Sequence, residues 1–396
     1  MGIPFEFVLF GLMLLAIAMF HRHVLPIAAA GLLAILAYEG LVTQFPTGTG
    51  LGALGEHLAH EWVTLVNLLL LLVGFEILSN QFEQSNVPDH LPRYLPDGWT
   101  GGLALLGMVF VLSAFLDNIA GAVLGAVIAR HVYQGRVGIG FLAAIVAASN
   151  AGGAGSVIGD TTTTLMWLHG VSPLAVLPAY AAAVPAFAVF ATAAAWSQHR
   201  YQPILAHNPA GHPLQWRRIG IVGFILAAAV VTNVAANLTG VGEDLPWLGM
   251  AIWAAIIGTS FVAQPDWKVV KPAAQGALFL VLLVAAASLM PVDSLPSPSW
   301  QSVAGLGALS AVFDNIPLTM LALSQGGYDW GLLAYAVGFG GSMLWFGSSA
   351  GVAVTNMYPE ARSAWRWLRE AWWLPVAFVV GFAVQMLVFG WVPSAG

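Results

Sequence analysis

"SAFLDNIAG", Ser113 to Gly121, sets one carboxylate in a run from Gly98 to Ala129 that carries no other charge. Nearly the same wording returns as "SAVFDNIPL", Ser310 to Leu318, where Asp314 is the only charge between Asp293 and Asp329. An acid at the centre of a membrane helix costs about 3 kcal/mol on insertion scales, and such acids are by default functional. Two of them, each followed by Asn and each set in similar apolar sequence, define a pair of candidate site elements: Asp117 with Asn118, and Asp314 with Asn315.

Composition sets the medium. The chain has 396 residues, 59% hydrophobic and 8% charged, with a mean hydropathy of +0.82. Soluble domains carry about 25% charged residues, so this chain is read as a polytopic all-α membrane protein. It has no Cys, which excludes disulfides, thiolate metal sites and thiol catalysis. No basic stretch points to nucleic acid. The N-terminal run has Glu6 before its apolar segment and Arg22 after it, the reverse of a signal peptide, and reads as a retained first membrane helix.

A helix needs about 20 apolar residues to cross a bilayer. Crossings are expected at 4–20, 24–42, 62–79, 137–169, 174–198, 217–239, 246–263, 272–291, 331–358 and 373–392. The two DN segments, 101–130 and 301–324, are left over, and charge decides their topology. Short loops rich in Lys and Arg stay cytoplasmic. If each DN segment dips in and returns as a re-entrant hairpin, all 12 Lys and Arg residues fall on one face. If each crosses once, the same residues split five against seven. The hairpin reading is the better one.

Five crossings and one hairpin then precede the linker at 199–216, and five crossings and one hairpin follow it. The odd number makes 1–198 and 217–396 inverted repeats, a layout of secondary transporters whose substrate site lies near the midplane. Both termini are expected outside. Each half carries a second motif one crossing later: "SNAGGAGSVIGDTTTTLMW", Ser149 to Trp167, and "GFGGSMLWFGSSAGVAV", Gly338 to Val354. Aligning Gly152-Gly153 with Gly340-Gly341 also pairs Gly159 with Gly347 and Asp160 with Ser348. Such glycine density breaks a helix, and a break in lipid is tolerated where it lines a cavity or is buried by protein. Broken helices are therefore expected at 137–169 and 331–358. The hydroxyls of Thr161 to Thr164, or of Ser348 and Ser349, can cap the second half-helix or complete the oxygen shell of a cation. Three carboxylates, Asp117, Asp160 and Asp314, with two Asn and no Lys, Arg or His in these motifs, describe a nest for Na⁺, with protons competing for the same oxygens.

At these residues the sequence resembles the ion transporter superfamily, and within it the NhaD-type sodium/proton antiporters. The carrying motifs are "SAFLDN", "NAGGAGSVIGDTTTT", "SAVFDNIP" and "GGSMLWFGSSAGVAV". The resemblance implies exchange of Na⁺ or Li⁺ for H⁺, a homodimer with a scaffold and a moving part, and no cofactor beyond the transported ion. It carries functional roles onto Ser113, Asp117, Asn118, Asn150, Asp160, Thr162, Thr163, Ser310, Asp314 and Asn315. Ser342, Ser348 and Ser349 are added from the second broken-helix motif. A bacterial inner membrane is the expected location. A permease for arsenite or a small carboxylate shares this layout and stays open as the alternative. A membrane-embedded enzyme is disfavoured, since no HExxH or Ser-Lys pairing stands at intramembrane positions.

Plainer readings stand beside these. Asp117, Asp160 and Asp314 can each simply cap a half-helix. Any one Ser or Thr can bond its own backbone. Glu76 can snorkel to the membrane surface or help protons enter. Trp62, Trp99, Trp167, Trp247, Trp300, Trp372 and Trp373 read as interfacial anchors. The stretch "PEARSAWRWLREAWW" from Pro359 reads as an amphipathic segment against anionic lipid.

Overall fold

The computed structural model describes residues 4–20, 23–42, 44–45, 48–49, 51–90, 94–204, 213–239 and 245–394. Arg22, Arg93 and the middle of the 199–216 linker lie outside the described residues. The first half of the chain folds as α1 (Phe5–Met19), α2 (Val24–Val42), α3 (Leu51–Glu83), α4 (Val87–His90), α5 (Trp99–Ser113), α6 (Asn118–Val132), α7 (Ile139–Gly153), α8 (Thr161–Leu168), α9 (Pro173–Val176) and α10 (Ala179–Tyr201). The second half folds as α11 (Trp216–Thr239), α12 (Trp247–Ser260), α13 (Val270–Ser288), α14 (Trp300–Ser310), α15 (Asn315–Gln325), α16 (Trp330–Gly340), α17 (Ser349–Met357), α18 (Ala364–Glu370) and α19 (Trp373–Phe389). The one pair of strands among the described residues is a two-residue ladder, Gln44–Phe45 against Gly48–Thr49. Helices satisfy every interior backbone group within one segment, which is what an apolar chain in an apolar medium requires.

Among the described residues three stretches are long and apolar enough to cross a bilayer alone: Glu61–Glu83, Pro173–Tyr201 and Trp267–Ser288. A fourth is the pair Ala364–Glu370 and Trp373–Phe389, bent by 62°. The expected span at 217–239 coincides with α11, which has 24 residues. The stretches at 137–169 and 331–358 are each two helices: α7 ends at Gly153 and α8 starts at Thr161, while α16 ends at Gly340 and α17 starts at Ser349. Each DN segment is likewise two helices with a short turn at the acid, α5 to α6 and α14 to α15. The 15 residues of α5 or α6 rise about 22 Å, less than the roughly 30 Å of hydrocarbon a single crossing must cover.

The first halves of the two broken helices, α7 and α16, are the best-buried elements. Every residue of α7 is buried, as is α16 from Gly331 to Gly340. Helices α5, α6, α10, α16 and α17 pack on α7, and α10, α14 and α15 pack on α16. Two contacts cross between the halves at the DN segments: α6 lies on α17, and α15 lies on α8. A smaller apolar cluster joins α1, α2, α3 and α13, with Phe10, Ile35, Leu68 and Leu283 at its centre.

The largest seam between the halves is α10 on α19. Beside it Tyr335 stacks on Phe339 and Phe378, with ring centroids 5.5 and 5.8 Å away, and donates its hydroxyl to the carbonyls of Ala377 and Phe378 at 3.2 and 3.0 Å. Gly381 makes the close approach possible, since a Cβ there would lie 2.5 Å from the Ala182 carbonyl oxygen and 2.7 Å from Tyr335 Cζ. Two of the tryptophans expected at the interface belong instead to the core: Trp167 is 5% exposed and Trp373 8%. Trp62, Trp300 and Trp372 are exposed.

Gly381→Val should therefore destabilise the purified protein by about 2 kcal/mol through overpacking against Tyr335 and α10. Gly220→Val, at a position where a Cβ meets nothing within 4 Å, should leave the thermal unfolding midpoint in detergent unchanged. Equal melting of the two variants would refute this packing.

Candidate functional site

Four helices begin on polar residues singled out in the sequence. Asp117 is the N-cap of α6 and accepts from the Ile119 N–H at 3.3 Å. Asp160 caps α8 through the Thr162 N–H at 2.9 Å. Asp314 caps α15 through the Ile316 N–H at 3.1 Å. Ser348 caps α17 through the Gly351 N–H at 3.3 Å. The capping role is thus real at all four positions. It uses one carboxylate oxygen of each Asp and leaves the other.

What becomes of the other oxygen differs. Asp314 Oδ2 accepts from the Ser349 hydroxyl at 3.1 Å. Asp160 is fully buried, its Oδ1 also accepts from Asn315 Nδ2 at 3.4 Å, and its Oδ2 has no hydrogen-bond partner. The Thr162 hydroxyl, two residues on, is likewise buried and unpartnered. Asp117 and Asp314 are half-buried.

A hydrogen-bonded chain runs through the centre. The Ser149 hydroxyl donates to the Asn118 carbonyl oxygen, so Ser113, 2.6 Å away, is the donor to Ser149. Asn118 Nδ2 donates to Asn150 Oδ1 at 3.1 Å. Asn150 Nδ2 donates across to the other half, to Ser342 Oγ at 2.9 Å and Ser348 Oγ at 3.2 Å. All six of these residues are nine-tenths or more buried.

The expected residues are not all brought together. Among the described residues no three of His, Cys, Asp and Glu lie close enough to hold one metal ion. The three aspartates therefore do not form the single three-carboxylate Na⁺ nest expected from the motifs. Each stands at the start of its own helix and is tied there by its cap. Asp160 is joined by Asn315 and Thr162, and Asn118 by Asn150, Ser342 and Ser348. Thr163 uses its hydroxyl on the carbonyls of Ser156 and Asp160, at 2.5 and 2.9 Å, and Ser310 donates to the Val337 carbonyl at 2.7 Å. These two hydroxyls bond backbone.

The two halves repeat their contacts pair by pair. Ser113 meets Ser149, and Ser310 meets Val337. A Cβ on Gly153 would strike the Gly159 carbonyl and Asp160 Cβ, and one on Gly341 would strike the Gly347 carbonyl and Ser348 Cβ. The Gly159 and Gly347 backbones abut Ser113 and Ser310 in the same way.

Three contributors escaped the sequence reading. Ser149 sits beside Asn150 inside a quoted motif but was not singled out. Tyr180 donates its hydroxyl to the Gly152 carbonyl at 3.0 Å, and Trp367 donates its indole N–H to the Ser342 carbonyl at 3.1 Å. Both satisfy carbonyls freed by a helix break. Trp367 is fully buried, so the stretch from Pro359 is not only a lipid-facing segment: Trp365 and Trp372 are exposed while Trp367 plugs the core. No local signal marks it, because its partner lies in another helix.

What these helices define is a polytopic integral membrane protein with polar residues gathered at internal helix ends. No family model matches the chain. It is 27% identical to Sodium/proton antiporter 1 of Arabidopsis thaliana, with 82% of this chain and 60% of that protein aligned. It thus spans less than two thirds of that relative's length. It is 25% identical to Sodium/proton antiporter 2 of the same plant, with 82% and 83% aligned. It is 28% identical to the Na⁺/H⁺ antiporter NhaD of Vibrio parahaemolyticus, with 90% and 96% aligned. The resemblance to NhaD-type sodium/proton antiporters read from the motifs is borne out.

Trp367→Phe keeps the ring in the core but leaves the Ser342 carbonyl without its donor, at a cost of about 1–3 kcal/mol. A lowered unfolding midpoint in detergent is expected. An unchanged midpoint would mean that the indole N–H does not support the break.

Proposed function

We propose that the chain exchanges Na⁺, with Li⁺ accepted, for H⁺ across a membrane by alternating access. The observation that carries this reading is the Asp160 carboxylate. It is buried, capped on one oxygen and bare on the other, with no Lys, Arg or His among its hydrogen-bond partners. A lone buried carboxylate is costly unless it is neutralised by a cation or a proton. Two ions competing for one such group give exchange without a separate coupling device, because the site crosses only when neutral. The names of the similar proteins support the same reading.

In this reading 1–198 and 217–396 are inverted repeats of five crossings and one re-entrant hairpin each. The pairwise repetition of contacts at the two breaks supports it, as do the reciprocal packings of α6 on α17 and α15 on α8. In this topology all 12 Lys and Arg residues fall on the cytoplasmic face, as expected of short loops. Hairpin one then opens to the cytoplasm and hairpin two to the outside, with both termini outside. Asp117 and Asp314 act at the hairpin turns, where they hold the helix starts that move and bias the region toward cations. A homodimer is the assembly inferred from the resemblance, and a bacterial inner membrane is the proposed location.

Proteoliposomes with a trapped pH dye and an imposed pH gradient test the proposal. Na⁺ or Li⁺ should dissipate the gradient in the wild type, and Asp160→Asn, which removes the charge the cation and proton would meet, should leave little or no exchange. The antiport reading fails if these cations leave the pH unchanged while labelled arsenite or succinate enters.

A further inference from the structure

The repeat alignment pairs Asp160 with Ser348, and by the same register it pairs Asn150 with Gly338. The two pairs exchange character. In one half-site the helix start is an acid and the facing helix offers Gly338 on α16. In its twin the helix start is the neutral Ser348 and the facing helix offers Asn150 on α7.

The consequence is visible in the contacts. Asn150 fills its half-site, with its amide group donating to Ser348 Oγ and Ser342 Oγ and its oxygen accepting from Asn118. The N–H groups of a carboxamide occupy the positions a cation would take among oxygen ligands. Gly338 puts no side chain in the equivalent place. A Cβ there would come within 3.1 Å of Asp160 Oδ2, the oxygen that has no partner. Hard cations bind oxygens at about 2.3–2.6 Å, so a methyl group at that spot and a cation on Oδ2 compete for one space.

We propose that the Asn150 carboxamide permanently occupies one of two symmetry-related cation half-sites. Gly338 keeps the other open, and each chain binds one exchangeable Na⁺, at Asp160. This rests on the antiport reading and deepens it. Gly338 contributes no ligand, and its missing side chain is what the cation replaces. The Thr162 hydroxyl, buried without a hydrogen-bond partner, is a further oxygen donor on the same helix start, while Asn315 turns its amide N–H to the capping oxygen Oδ1 and not to Oδ2.

Equilibrium binding of radiolabelled Na⁺ to the purified protein in detergent tests the count without needing transport. The wild type should bind one Na⁺ per chain. Gly338→Ala should weaken binding by about tenfold, and Gly338→Asn, which copies the twin half-site, by about 100-fold or more, by filling the cation's coordination space. The thermal unfolding midpoint of Gly338→Ala identifies a fold defect independently of binding. The paired change Asn150→Gly with Ser348→Asp recreates the open half-site on the other side and should raise the count to two. Two Na⁺ bound by the wild type would overturn the proposal, as would unweakened binding by folded Gly338→Ala; either leaves antiport standing. A wild type that binds one Na⁺ but exchanges none for protons in proteoliposomes would sink the antiport reading instead.

Discussion

A helix that stops inside an apolar interior leaves its last carbonyls and the next helix's first N–H groups without partners. The structure depends on how this chain meets that constraint at four places. Asp117, Asp160, Asp314 and Ser348 accept the N–H groups of α6, α8, α15 and α17. Tyr180 and Trp367 donate to the carbonyls at the other side of two breaks. Thr163, Thr164 and Ser156 tie the first break to itself and to the turn after α5. Polar groups that would be a burden in a continuous helix are here the means by which discontinuous helices exist.

An acid is a stronger cap than the constraint needs, and the excess is informative. Ser348 shows that a hydroxyl is enough to start α17. Asp160 does the same work for α8 with one oxygen, while its second oxygen sits buried without a donor. A neighbouring donor could have satisfied it, as the Ser349 hydroxyl does for Asp314 Oδ2. Instead α16 presents a glycine there. In the proposed reading the same fold holds one half-site closed by an amide and one with a charge to be met from solution, and this difference separates a binding site from a structural cap.

The repeated DN wording and the glycine-rich breaks were readable in the sequence, because both are local: a lone acid in a long apolar run, and Gly pairs at matched positions. The alignment that pairs Asp160 with Ser348 likewise needs only spacing. The grouping of the three aspartates was not readable, since spacing along the chain says nothing about which helix ends face one another. Ser149, Tyr180, Trp367 and Gly338 act through neighbours in other helices. An aromatic residue buried by tertiary packing has the same local sequence as one anchored at a lipid surface. For the same reason Trp167 and Trp373 read as interfacial and lie in the core. Span counting was limited by the breaks, which divide apolar runs into helices too short to cross alone.

The central claim is that two structurally repeated halves enter the membrane from opposite faces and meet at the capped helix ends. The absence of Cys makes one experiment direct. Single cysteines at exposed Gln134, after α6, and exposed Ser324, near the end of α15, would be treated with a membrane-impermeant maleimide in intact cells and in inverted vesicles. Opposite labelling is predicted, with Ser324→Cys reacting only from outside and Gln134→Cys only from the cytoplasmic face. Labelling of both from the same face would contradict the inverted arrangement and the central site built on it.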